Sequence, residues 1–287
     1  MTSIKILIPY HKPYKMFKDD IFEPIHAGRD IAFHSSKDGF LSLKDKDWLF
    51  DNMIGDNTGD NISYKNREYC ELTVQYWAWK NYDKLNNPDY IGFMHYRRHF
   101  QFTKHQGLFL SIPFHHRKKI ILDKLDSAGI IMPEYTDISC NIYNQYKFAE
   151  NFLHIEDYEK TIETVKRMYP EYAYACDTYN SLYAGFFCNM FIMKKDEFFS
   201  YSSWLFSILN EVEKVIDISE YDVDERRVFG HLAERLLGIY VLHNLRLKGK
   251  PIKTIKVCDW FSNEFLKDFN ILNVISKIPL LWELTRL

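Results

Sequence analysis

The sequence has no run of 18 apolar residues and no closely spaced pair of cysteines. A membrane-spanning helix needs about 20 mostly apolar residues, so the sequence predicts none. The five cysteines are odd in number and widely spaced, which favours reduced thiols in a cytoplasmic protein over a disulfide framework or a zinc ribbon. The first apolar run, residues 4–8, is too short for a signal peptide and predicts a buried strand.

The sequence also has little excess of either charge. It carries 37 Lys and Arg against 39 Asp and Glu, a formal net charge of −2, and 46% of its residues are hydrophobic. This composition is typical of a folded globular domain and disfavours general binding to nucleic acid, even though residues 97–119 are locally basic. Aromatic residues, in contrast, make up 17% of the chain. For any single Tyr a place in the core is favoured, and the alternative is a platform for a base or a sugar ring.

Hydrophobic periodicity predicts strands that alternate with helices, and therefore an α/β fold with a largely parallel, Rossmann-type mixed sheet flanked by helices. A long loop with little regular structure is expected over residues 28–62. The sequence shows no repeat and no low-complexity linker, so we expect one domain over residues 1–260 and a C-terminal helical tail over 261–287. The predicted strands cover 4–8, 89–100, 129–133 and 186–193, and the predicted helices cover 66–81, a segment ending near 129, 157–168, 196–214 and 227–244.

A cationic cluster, His95 to His99, ends the predicted strand 89–100 and follows the polar loop 55–61. Ligands of open α/β sheets gather beyond the carboxyl ends of the strands, where guanidinium groups can pair with phosphate oxygens. The sequence therefore predicts an anion-binding crevice suited to a nucleotide sugar. A zinc site is disfavoured because no Glu separates the two histidines, and a calcium loop because its twelfth residue would be Arg67.

Several ordered motifs resemble those of a bacterial family of capsular and exopolysaccharide glycosyltransferases that has long been labelled only as a domain of unknown function. The resemblance covers nearly the whole chain. It rests on the segments 56–63, 66–73, 76–81, 95–98 and 189–193, and on 227–237 with its Ala-Glu-Arg-Leu-Leu run.

The resemblance implies a GT-A-like transferase that uses a UDP-sugar, in some members UDP-galactofuranose. Related enzymes hold a divalent metal with Asp-X-Asp, whereas His95 and Arg97 stand at the corresponding positions here. We therefore expect no metal or other cofactor. Arg97, Arg98 and His95 are expected to stabilise the leaving diphosphate instead. For either arginine, the alternative is a structural ion pair.

The other candidate residues fall into three groups. Asn61 and Asn66 could bond donor hydroxyls, order the loop or cap the following helix; Ser63 is a second candidate for that cap. An inverting mechanism would need a base, for which the candidates are His154, Asp177, Asp224 and Glu234; the sequence does not decide between inversion and retention. Donor-binding candidates are His11, Lys12, Asp56, Asp60, Asn61, Asn66, Tyr69 and Tyr96, and acceptor-binding candidates are Asp177, Asn189 and His231.

The expected reaction is transfer of a hexosyl unit, galactofuranosyl in one version, from a UDP-sugar to a surface-polysaccharide or lipid-linked acceptor. The alternative is a noncatalytic carbohydrate-binding or scaffold subunit. The apolar tail 265–287 carries balanced charges, so we expect it to pack on the domain or across a homodimer interface. Membrane contact is then at most peripheral, at the inner face of the cell membrane.

Overall fold

The structure is a computed structural model that describes residues 2–126, 128–149, 151–246 and 248–259. The predicted tail 261–287, and with it the domain boundary at 260, lies outside the described residues. The strands are β1 (Ile4–Tyr10), β2 (Phe22–His26), β3 (Ile54–Gly55), β4 (Tyr90–Phe93), β5 (Arg98–Phe100), β6 (Ile130–Pro133), β7 (Thr136–Asp137), β8 (Ala184–Gly185), β9 (Phe191–Lys194), β10 (Lys253–Ile255) and β11 (Val257–Asp259).

Helices alternate with these strands along the chain. They are α1 (Leu43–Asn52), α2 (Asn66–Tyr69), α3 (Leu72–Lys80), α4 (Gln106–Ser111), α5 (Phe114–Asp126), α6 (Ile142–Lys147), α7 (Ile155–Met168), α8 (Ala173–Ser181), α9 (Lys195–Val212) and α10 (Val228–Val241). None of the described helices combines the length and the apolar character needed to cross a bilayer.

A seven-stranded sheet organises the domain, with the order β10-β6-β9-β4-β1-β2-β3. Six strands run parallel to one another, and β9 runs antiparallel between β4 and β6. Side chains alternate between the faces of the sheet: Leu7 and Ile91 join one core with α3, α7, α9 and α10, while Ile6 and Ile8 join another with α1 and α5. The predicted α/β class, a mixed sheet flanked by helices, is confirmed.

The order of the strands shows at which edge of the sheet a ligand crevice can form. β1 pairs with β2 on one side and with β4 on the other. The chain therefore continues from β1 toward one side of the sheet and later returns to the other side, next to β1. Such a reversal of strand order opens a crevice at the carboxyl ends of the strands. Because β9 is antiparallel, its first residues lie at this same edge.

Two predicted elements are interrupted in the structure. The strand predicted over 89–100 ends at Phe93, and Arg98 begins β5, which pairs with β11 in a separate two-stranded sheet. The helix predicted over 66–81 breaks at Cys70, whose φ of 51° lies outside the helical region. Local periodicity did not reveal either break, because the residues on both sides keep the pattern of one element.

The prediction of an irregular 28–62 segment is wrong in part, because that segment contains α1 and β3. The capping prediction is wrong as well. Neither Ser63 nor Asn66 caps α2: the Ser63 hydroxyl donates to Asp56 Oδ1 at 2.5 Å, and Asn66 Nδ2 donates to the Cys70 carbonyl at 2.7 Å.

Asp56 lies beneath the binding edge and is fully buried. Its carboxylate accepts four hydrogen bonds: from the backbone N–H of Gly28 (2.8 Å) and Arg29 (3.1 Å), and from the hydroxyls of Ser63 (2.5 Å) and Thr73 (2.6 Å). Burial raises the pKa of Asp56, and the four donors oppose that shift. The turn after β2 is thereby fixed to the start of α3.

Asp56→Ala is expected to lower the free energy of unfolding by about 3 kcal/mol, because buried N–H and O–H donors lose their acceptor. Chemical denaturation followed by circular dichroism measures the loss. The matched control is Asp60→Ala, since the exposed Asp60 carboxylate accepts a hydrogen bond from the Tyr76 hydroxyl; we expect a loss under about 0.5 kcal/mol there. Equal losses in the two variants would contradict the anchoring role.

Candidate functional site

A cavity of about 310 Å³ lies at the edge of the sheet where β1, β2 and β4 end and β9 begins. It is deep enough for part of a nucleotide sugar, and such a position is where α/β domains bind ligands. The residues lining it include five cations, Lys12, Lys37, Arg67, Arg97 and Arg227, against two carboxylates, Asp38 and Glu71. The cavity is therefore positive in a protein whose formal net charge is −2.

The loop after β1 forms one side of the cavity. Lys12 Nζ lies 2.9 Å from Asp38 Oδ2, and His11 Nε2 lies 3.2 Å from the same oxygen. The Lys12 ammonium holds the pKa of Asp38 down at about 2, so this carboxylate stays ionised. The predicted donor-binding pair His11 and Lys12 is thus brought to the cavity, oriented by a carboxylate that the sequence analysis did not single out.

The loop after β4 forms the adjacent wall with His95, Tyr96 and Arg97. Tyr96 is buried, and the Arg97 guanidinium carbon lies 5.2 Å from the centre of its ring. Arg97 is exposed and forms no ion pair within the described part of the chain. The described residues therefore offer no ion-pair partner that would support the structural alternative for Arg97. Arg98 begins β5 and is not among the described residues that line the cavity.

Four histidines line the cavity, and burial keeps three of them neutral at physiological pH. Burial lowers the pKa of His11 to about 4, of His26 to about 3 and of His95 to about 3. Nearby cations add to the effect, chiefly Arg29 for His26, and Arg97 for His95. His95 Nδ1 accepts a hydrogen bond from the Arg97 backbone N–H at 3.1 Å. A neutral His95 offers hydrogen bonds to a ligand rather than the positive charge that the sequence analysis expected.

His26 is a cavity residue that the sequence analysis missed. It ends β2, is 1% exposed, and accepts a hydrogen bond from Arg29 Nε at Nδ1 (3.3 Å). Phe22 and Ile25 were the available signal for β2. The strand was not predicted because Pro24 interrupts the pattern.

The floor of the cavity depends on close contact between Gly28 and Asn66. Gly28 has a φ of +68°, and a Cβ at this position would lie 2.5 Å from Asn66 Cγ. Arg67 holds the neighbouring loop, because its guanidinium donates to the carbonyls of Ser35, Ile31 and His34. The predicted residue Asn66 therefore lies on the cavity wall, with its Nδ2 bonded to Cys70 O and to Thr73 Oγ1.

A further wall, on the β9 side of the cavity, is formed by Cys70, Glu71, Asn189 and Arg227. Asn189 Nδ2 donates to Glu71 Oε1 at 2.7 Å and to the Gly230 carbonyl at 3.2 Å. Asn189 was a predicted site residue, whereas Glu71 and Arg227 were not. Glu71 reaches the cavity at the break after Cys70, Asn189 reaches it because β9 is antiparallel, and Arg227 directly precedes α10.

The other donor-binding candidates lie away from the described cavity lining. Asp56 is buried beneath it, and Asp60 bonds the Tyr76 hydroxyl (3.1 Å). Asn61 accepts from the Ser63 backbone N–H (3.1 Å), so its loop-ordering alternative is the one seen in the structure. Tyr69 stacks on Phe229 with ring centres 4.9 Å apart, as a core residue does.

The candidate bases and the remaining acceptor candidates are likewise held elsewhere. His154 lies 3.0 Å from Glu225, the exposed Asp177 lies 2.6 Å from Lys166, and Glu234 lies 2.6 Å from Arg235. None of these, nor Asp224 or His231, is among the described residues that line the cavity. The structure brings together His11, Lys12, Asn66, His95, Tyr96, Arg97 and Asn189 out of the predicted set.

The donor set of the cavity does not fit a divalent metal. Across the described ranges, no three His, Cys, Asp or Glu side chains converge as ligands. Asp38 is held by Lys12 and by the neutral His11, and Glu71 is bonded by Asn189, whereas Mg²⁺ and Mn²⁺ need several free oxygen ligands.

Comparison with known proteins gives two findings. Residues 5–245 match the family described as Domain of unknown function (DUF4422). A solved apo structure titled WbbM bifunctional glycosyltransferase is similar to this chain, with 35% sequence identity and a TM-score of 0.75. The similarity covers 91% of this chain and 46% of that one, so this chain spans about half the length of that protein. A comparison with curated proteins gave no match. The family resemblance read from the motifs is confirmed.

The neutral histidines lead to a measurable pH dependence. We expect the imidazole ¹⁵N resonances of His11, His26 and His95 to keep their neutral shifts from pH 8 down to about pH 5, because their pKa values lie near 4, 3 and 3. Long-range ¹H–¹⁵N NMR of labelled protein measures this. Since the unfolded chain binds protons near pH 6.5, these residues reduce stability as the pH falls below that value. Titration of His11, His26 or His95 near pH 6.5 would contradict the assignment.

Proposed function

The chain belongs to the family described as Domain of unknown function (DUF4422), and from this premise we propose that it is a glycosyltransferase that uses a nucleoside diphosphate sugar. The observation that carries the proposal is the Arg97 guanidinium, which forms no ion pair with the described residues and lines a positively charged cavity at the carboxyl edge of the sheet. The similarity to a bifunctional glycosyltransferase supports the reaction class.

The diphosphate of the donor is placed between the loops that follow β1 and β4. Arg97 can pair with two phosphate oxygens, and Lys12 adds a second positive charge from the neighbouring loop. As the bond between sugar and phosphate breaks, charge accumulates on the leaving diphosphate, and fixed cations in a partly enclosed site stabilise it. The neutral His95 and the hydroxyl of Tyr96 are available for hydrogen bonds to the donor.

The proposed donor and acceptor rest on the family resemblance of the sequence motifs. We propose a UDP-hexose donor, with UDP-galactofuranose as the first candidate, and a saccharide or lipid-linked saccharide as the acceptor. Such acceptors are assembled at the inner face of the cell membrane, so we propose a cytoplasmic enzyme with at most peripheral membrane contact. A noncatalytic carbohydrate-binding subunit is the second candidate, and it would bind a sugar nucleotide or glycan without turnover.

Arg97→Ala is expected to lower turnover by about 10² to 10³, because one donor to the transition-state charge is lost. The measurement is UDP release after a binding screen of UDP-galactofuranose, UDP-galactose, UDP-glucose and their N-acetyl forms. The matched control is Arg226→Ala, whose exposed guanidinium donates to the Tyr221 carbonyl (2.9 Å). Turnover of Arg97→Ala within threefold of wild type would refute the role of Arg97. Binding without turnover in the wild type would favour the noncatalytic subunit.

Activity is also expected to survive EDTA, because the cavity carboxylates Asp38 and Glu71 are already engaged by side chains of the protein. UDP release is measured before and after dialysis against EDTA, and again after Mn²⁺ or Mg²⁺ is restored. Complete loss in EDTA with recovery on Mn²⁺ would show that other oxygen ligands hold a metal at the diphosphate.

A further inference from the structure

The break between α2 and α3 places a carboxylate on the cavity wall. Cys70 has φ 51° and ψ −132°, a conformation that residues with side chains rarely adopt. Strained backbone of this kind persists where the surrounding structure enforces it, often at functional sites. Glu68, Glu71 and Gln75 share one face in the helical pattern of the sequence, yet Glu71 alone of these three lines the cavity.

The orientation of Glu71 is set by Asn189, which precedes β9. Asn189 Nδ2 donates to Glu71 Oε1 and to the Gly230 carbonyl, and two acceptors around one atom identify that atom as the amide nitrogen. Asn189 Oδ1 is buried and has no hydrogen-bond partner among the described residues. A buried acceptor without a partner is costly, and both Asn189 and Glu71 line the cavity. A sugar hydroxyl bound between them would supply the missing donor.

Several charged or titratable groups face Glu71. Burial raises its pKa, as does the nearby Glu234, while the hydrogen bond from Asn189 and the charge of Arg227 oppose the shift. Cys70 and Cys188 are the thiols beside it, and burial raises the pKa of each to about 12, so both remain neutral. Glu71 is therefore a partly dehydrated carboxylate whose pKa is moved toward neutral pH, as a proton acceptor requires.

The other cavity carboxylate does not meet this requirement. Asp38 is tied to Lys12 and His11, and its pKa of about 2 makes it a weak base. Glu71 contacts Asn189 on the β9 side of the cavity, whereas Lys12 follows β1, and β4 lies between these two strands in the sheet. That separation is what a displacement needs, because the attacking hydroxyl and the leaving group approach the reacting carbon from different sides.

We propose that Glu71, positioned by Asn189, is the general base that activates the acceptor hydroxyl; the inference rests on the proposed glycosyltransferase function. The acceptor O–H gives its proton to the Glu71 carboxylate while the oxygen's electron pair forms a bond to the anomeric carbon. The bond between that carbon and the diphosphate oxygen breaks, and its electron pair leaves with the diphosphate beside Arg97 and Lys12. The proton later passes from Glu71 to water. This sequence of bond changes inverts the anomeric centre.

Glu71→Gln tests the base directly. We expect the turnover of donor with acceptor to fall by about 10² to 10⁴, the usual range for loss of a general base. The donor Kd, measured by calorimetry with the nucleotide sugar alone, should stay within threefold of wild type. The matched control is Glu68→Gln, three residues earlier on α2, where burial also raises the pKa but the carboxylate does not line the cavity. Glu68→Gln should keep wild-type turnover.

Asn189→Ala gives a second test that leaves Glu71 in place. Loss of the hydrogen bond to the carboxylate removes an effect that lowers its pKa, so the pKa rises. In a pH–rate profile, the turnover of the wild type should increase as the pH rises through the Glu71 pKa. This rising limb of the profile should move to higher pH in Asn189→Ala. A merely structural role would change stability or KM without moving the limb. This arm also decides the question if Glu71→Gln does not fold.

The outcomes distinguish a failure of the proposed base from a failure of the proposed glycosyltransferase function. If the wild type turns over donor and Glu71→Gln is equally active, Glu71 is not the base. The same conclusion follows if Glu71→Gln loses donor affinity and turnover in equal measure. Neither result contradicts the glycosyltransferase function. A pH limb that does not move in Asn189→Ala overturns the pairing of the two residues. A wild-type protein that neither binds nor turns over a nucleotide sugar overturns the function, and the base with it.

Discussion

The buried carboxylate of Asp56 is the contact on which the geometry of the cavity depends. Its four hydrogen bonds join the turn after β2, the 3₁₀ helix at Ser63 and the first turn of α3, three segments far apart in the sequence. With that acceptor in place, Gly28 can approach Asn66 and close the floor. Asp56 therefore supports the cavity without lining it, as a charged group held in a full set of hydrogen bonds can do.

The antiparallel β9 is the second constraint. In an all-parallel sheet the residues before this strand would emerge at the opposite edge, away from the loops that follow β1 and β4. Because β9 is reversed, Asn189 reaches the cavity, where it meets Glu71 from the break at Cys70. The oriented Glu71 carboxylate thus lies on the β9 side of the cavity, and Lys12 and Arg97 lie on the loops that follow β1 and β4.

The positive charge of the site comes from its arginine and lysine side chains. Burial and the neighbouring guanidinium groups keep His11, His26 and His95 neutral, so their role is to accept or donate hydrogen bonds. A sequence shows which histidines stand beside arginines, but their pKa values depend on how much water surrounds them. That quantity is set by the packing of β1, β2 and β4, which explains why the expected charge on His95 did not follow from the pattern.

The sequence by itself determined the α/β class, the family, and the position of His11, Lys12, Tyr96 and Arg97 at strand ends, because strand periodicity and motif order are local properties. Tertiary structure decided the rest. Glu71 looked like one acidic residue on a continuous helix, and Asp56 looked like a donor ligand in a polar loop. Their roles depend on burial and on partners 118 residues away for Glu71 and up to 28 residues away for Asp56. Such contacts arise only when the chain path is fixed, since no local pattern encodes which distant side chain will share a wall.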